Sequence, residues 1–153
     1  MLFRTFGNFL RRNTRKRIGV LVDGPNMLRK EFDFDFNKIK QELHQFGDIR
    51  IARVFLNQFA PGKLIEAVTN QGFQPIMITT GDVDAPMAAE AMEIVYNNNI
   101  DMLCLMTRDS DFQPVLQKAK AHGKETIVIG GKPFSVALKN TADHIIMLKD
   151  LSK

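Results

Sequence analysis

The chain has 153 residues, 44% hydrophobic and 25% charged, the balance expected of one soluble globular domain with a single buried core. Its longest purely apolar stretches, such as Met102 to Met106, are strand-sized and exclude a membrane helix of about 20 residues. One cysteine, Cys104, excludes a disulfide framework and a cysteine-based zinc site, and reads as a buried small hydrophobe in a reducing, cytoplasmic protein.

The net charge of +4 sits at one end. Residues 1–17 hold Arg4, Arg11, Arg12, Arg15, Lys16 and Arg17 and no acid. The rest carries fifteen Lys and Arg against seventeen Asp and Glu, a net −2. Phe3, Phe6, Phe9 and Leu10 recur in this arm at helical spacing. A basic amphipathic arm of this kind suits a membrane surface, a protein partner or nucleic-acid phosphates. A solvated extension is the plainer alternative. The arm lacks the uninterrupted apolar run of about 7–15 residues of a secretory signal, although its Arg-rich, acid-free composition resembles an organelle transit peptide.

From residue 18 to about residue 150 the pattern of one domain alternates between strand and helix. Strands are expected at residues 18–22, 49–56, 75–79, 101–106, 125–129 and 145–148, from short runs with few polar residues. Helices are expected at 37–46, 63–70, 85–97, 111–122 and 135–140, several closed by a following glycine. Apolar strands alternating with helices predict an α/β three-layer sandwich around a mostly parallel, doubly wound sheet. Strand order near 3-2-1-4-5 makes the first and fourth strands neighbours where the winding reverses.

Five aspartates fall at the C-terminal ends of those strands. Asp23 follows Val-Leu-Val, Asp82 and Asp84 follow the third strand, and Asp109 and Asp111 follow the fourth. That edge forms the ligand crevice in an open α/β sheet. Converging carboxylates repel one another and lose solvation, so a chain that gathers them has a cation to hold. Every donor is a hard oxygen, and Asn26 adds a neutral amide, which suits Mg²⁺ or Mn²⁺ rather than zinc. Each acid also has a local reading. Asp111 would cap the next helix, Asp82 and Asp84 would form a turn and a cap, and Asp23-Gly24 would be a turn pair.

Competing motifs fail. A calcium loop starting at Asp82 would place Met87 where glycine is required. Gly130-Gly131-Lys132 lacks the upstream glycine and following Ser or Thr of a P-loop, and no Gly-x-Ser-x-Gly elbow occurs. His44, His122 and His144 lack metal spacing. A phosphatase with an aspartate nucleophile needs a second Asp two residues on, where Pro25 stands.

Asp23-Gly-Pro-Asn-Met, Asp84 with Ala-Ala-Glu-Ala-Met, and Thr-Arg-Asp-Ser-Asp-Phe together resemble an NYN domain of the PIN-like nucleases, in its LabA-like branch. The resemblance runs from about residue 17 to residue 148. It implies a metal-dependent ribonuclease whose acidic pocket maps onto Asp23, Asp84, Asp109 and Asp111, with Asn26 as an orienting group. Glu90 stands where related sequences often carry Asp, and Arg108 replaces the usual glycine. That arginine either aids phosphate binding or neutralises Asp109. The expected cofactor is Mg²⁺ or Mn²⁺ and the expected partner RNA, with Lys132 and Ser135 as further phosphate contacts near the helix after the fifth strand. The rival expectation is a non-catalytic module of the same fold that binds RNA, a nucleotide or a protein. Oligomerisation stays open.

Overall fold

The computed structural model describes residues 15–28 and 35–148. Six strands make one sheet: β1 (Lys16–Asp23), β2 (Gly47–Asn57), β3 (Gln74–Ile78), β4 (Met102–Met106), β5 (Glu125–Gly130) and β6 (His144–Met147). Every pairing is parallel, in the order β3-β2-β1-β4-β5-β6. Six helices connect them: α1 (Gly24–Met27), α2 (Phe36–His44), α3 (Gly62–Asn70), α4 (Asp84–Val95), α5 (Gln113–Ala121) and α6 (Val136–Thr141), with a 3₁₀ turn at Ser110–Phe112 leading into α5.

Alternation along the strands divides the apolar side chains between two faces. Ile18, Val20 and Val22 of β1 and Met102, Cys104 and Met106 of β4 pack with Met27, Ile39, Leu43 and Val68 of α1, α2 and α3. Leu21, Leu103, Leu105 and Val128 point the other way, onto Met87, Ala91 and Ile94 of α4 and Leu116 and Ala119 of α5. These are the three expected layers. Cys104 is fully enclosed, and burial pushes its thiol pKa far up, consistent with a packing role.

Two sequence expectations shift. The first strand starts at Lys16, so the cations at residues 15–17 belong to the domain rather than to the arm. Arg15 pairs with Asp48, Lys16 with Glu125 and Arg17 with Asp101. The arm's residues 1–14 lie outside the described residues. Gly47 does not close α2 through a left-handed residue. It opens β2, where an added Cβ would lie 2.1 Å from the Lys16 carbonyl oxygen. Gly123 does close α5, at φ +81.

Arg17 grips Asp101 with Nε at 3.0 Å and a terminal nitrogen at 3.1 Å, and its backbone N–H adds 2.8 Å. These bonds hold the Asp101 carboxyl below the usual range, against a smaller opposing effect of burial. A depressed folded pKa stabilises above the unfolded value of about 3.9 and loses that contribution as pH falls through the folded value. Because both side chains are more than a third exposed, solvent screening limits the effect. Asp101→Asn is expected to cost about 1 kcal/mol near neutrality. Urea titrations should show the difference fading as pH drops below about 3.9.

Candidate metal centre

Where β1 and β4 run side by side, Val22 pairs with Met106. Their C-terminal ends therefore deliver Asp23 and the Thr107–Asp111 loop to one place. A cleft of about 320 Å³ opens there, lined by Asp23, Pro25, Asn26, Asn57, Asp82, Asp84 and Asp109.

Asp23 is 2% exposed. It caps the four-residue α1, accepting from the Asn26 N–H at 3.3 Å, and its other oxygen accepts from the Thr107 hydroxyl at 3.2 Å. That hydroxyl in turn accepts from the Asp109 N–H at 3.1 Å. One enclosed threonine thus links the acids of β1 and β4. Asn26 makes a second link, with its Oδ1 accepting from the Arg108 N–H at 2.9 Å and its carbonyl from the Arg108 guanidinium at 3.2 Å. Asn26 orients the loop that carries Asp109, and Arg108 is turned toward it.

The capping roles differ from the expectation. Asp109, not Asp111, caps the 3₁₀ turn, accepting from the Asp111 N–H at 2.9 Å. Asp111 sits one step inside, with its carboxylate in solvent. Asp82 accepts from the Asp84 N–H at 2.8 Å, so the expected turn is there and Asp84 opens α4.

Ligand oxygens of Asp84, Asp109 and Asp111 all lie within 4.8 Å of one another. That is close to the roughly 4.2 Å between opposite ligands in a magnesium shell with bonds of about 2.1 Å. The charges also ask for a counter-ion. Burial raises the Asp84 pKa to about 7, helped by a hydrogen bond with Asp109 and by the charges of Asp82, Asp109 and Asp23. Burial likewise raises Asp23, against its bonds from Asn26 and Thr107, while Asp109 and Asp82 add repulsion. Hard oxygens in an electrostatically unfavourable group fit a divalent cation.

Other expected residues are not among those that line this cleft. Glu90 of α4 pairs with Arg53 of β2. Lys132 is exposed beyond β5, and the Ser135 hydroxyl caps α6 by accepting from the Leu138 N–H at 3.3 Å. Asn57, which ends β2 and lines the cleft, was not singled out by the sequence. Its position at the end of a strand adjoining β1 was the available signal.

A crystal structure of a protein of unknown function, VPA0982, from Vibrio parahaemolyticus RIMD 2210633 shares the fold, with TM-score 0.77 at 20% identity over 87% of this chain and 93% of that one. The uncharacterized protein MJ0482 of Methanocaldococcus jannaschii is 56% identical over 139 residues, 90% of this chain. The chain spans 58% of that relative's length. The NYN domain family matches residues 17–149, nearly the whole described fold. The chain therefore belongs to the NYN domain family, within the PIN-like nuclease superfamily.

Proposed function

We propose that the protein is a divalent-metal-dependent ribonuclease acting at the cleft between β1 and β4. The observation that carries this reading is the approach of Asp84, Asp109 and Asp111 to within 4.8 Å at the strand ends. NYN and PIN-like nucleases generally use divalent metals, and NYN domains generally act on RNA.

Asp84, Asp109 and Asp111 would hold Mg²⁺ or Mn²⁺. A divalent ion there would supply Lewis-acid polarisation of a phosphodiester and a readier deprotonation of water. The chain's own residues do the positioning. Asp23 adds charge and orients Thr107, which holds the Asp109 backbone. Asn26 keeps the Arg108–Asp109 loop against α1. Within this reading Arg108, Lys132 and Ser135 are substrate contacts outside the acidic group, and Lys132 offers an exposed cation to an RNA phosphate leaving the cleft.

The test is a titration of metal-stripped protein with Mg²⁺ and Mn²⁺ in the presence of a mixed single-stranded RNA pool. Cleavage should rise with the divalent ion and stop with chelator. Tight RNA binding without turnover, indifferent to chelator, would replace this reading with that of a binding module.

A further inference from the structure

Among the described residues the most exposed large apolar side chain is Phe59, at 80%. Every other described phenylalanine is buried or half-buried. Leaving one ring in water opposes the burial that places aromatic side chains. The backbone beneath the ring is nevertheless well held. The Phe59 N–H donates to Asn57 Oδ1 at 3.0 Å, and the Ala60 N–H donates to the Asn57 carbonyl at 3.1 Å. Pro61 follows and opens α3. The residue that anchors this turn is the same Asn57 that lines the acidic cleft. The exposed ring thus stands two residues beyond a cleft-lining residue, on a turn bonded to that residue's side chain and carbonyl.

Charge makes such a ring useful. The cleft is lined by Asp23, Asp82, Asp84 and Asp109, so its own carboxylates repel phosphates. Stacking a base on an aromatic face needs no positive charge and accepts any base. It does need a base free of its duplex partner. Lys63, exposed in the first turn of α3 four residues on, offers a cation to an adjoining phosphate.

We propose that Phe59 is a base-stacking platform that positions single-stranded RNA on the β2 side of the cleft. This rests on the reading of the cleft as an RNA site.

The experiment compares the 153-residue wild type with its Phe59→Ala and Phe59→Tyr variants. KM and kcat are measured on a labelled single-stranded RNA of mixed sequence. Affinity is measured by anisotropy in the Asp109→Asn background, where the strand is not cut. Phe59→Ala is expected to weaken binding roughly 5- to 150-fold and to raise KM with kcat nearly unchanged. Phe59→Tyr should restore both. The loss should shrink on a strand whose bases have been removed, and melting temperatures should match, since the ring is solvated. Unchanged RNA affinity in the alanine variant overturns the assignment and leaves the ring as a protein-docking surface. An equal loss on the strand without bases also overturns it. A wild type that binds RNA through Phe59 but never cuts it would retire the nuclease and keep the platform. Metal-dependent cleavage whose KM is unchanged by Phe59→Ala would do the reverse.

Discussion

Asp109→Asn is expected to lower divalent-dependent cleavage of single-stranded RNA by about a thousandfold or more while leaving the fold intact. A metal's stabilisation of developing charge is worth several kcal/mol, and each ~1.4 kcal/mol is tenfold in rate. The fold survives because an amide oxygen can still accept from the Asp111 N–H, the bond that Asp109 Oδ1 makes now. Removing one of several crowded charges also relieves repulsion, so without divalent ion the variant should melt no lower than wild type. The ion's effect should divide the two. At a hundred times its dissociation constant it adds about 2.7 kcal/mol to the wild type, roughly 5–10 °C at this size. The variant should gain little. Equal cleavage by the variant would point to a contaminant or another site, and an equal thermal shift would remove Asp109 from the ligand set.

Gly24→Ala is expected to have the largest effect on stability of any single methyl added near the site. The residue has no left-handed backbone to protect. Its requirement is space. A Cβ there would stand 2.3 Å from the Phe55 carbonyl oxygen and 2.7 Å from Leu56 Cδ2. The leucine can turn aside, but the carbonyl belongs to β2, whose Phe55 pairs with Asp23. Relief means spreading β1 from β2 just where Asp23 leaves the sheet. Overpacking costs about 1–3 kcal/mol, and backbone contact puts this case near the top. A thermal melt should fall by roughly 6–12 °C for ~3 kcal/mol, with cleavage reduced beyond the loss of folded protein. A melt within a degree of wild type would show that the strands have slack.

The same residue shows where sequence reading reached and where it stopped. Asp23-Gly24-Pro25-Asn26 has the composition of a turn, and α1 went unseen because four residues carry no periodicity. The sheet was legible because β4 is apolar throughout, and a run buried on both faces implies layers on each side. Its parallel order placed Asp23 beside Asp109 before any side chain was located. Caps were less legible. Asp109 and Asp111 both precede a helix, and only the 3₁₀ turn, which starts after Asp109 and contains Asp111, decides which is spent on the backbone. Asn57 carried no charge to mark it, and Phe59 looks in sequence like one more core aromatic.

Thr107 and Asp23 are 84 positions apart in the chain, yet a single bond joins them. A nascent chain that has released β1 holds one acid of the cleft and none of its companions. The cleft comes into being only when β4 docks, long after β2 and β3 have been made. No shorter fragment from the amino terminus can be partly competent. Whatever chemistry the cleft performs waits on the closure of the sheet's middle.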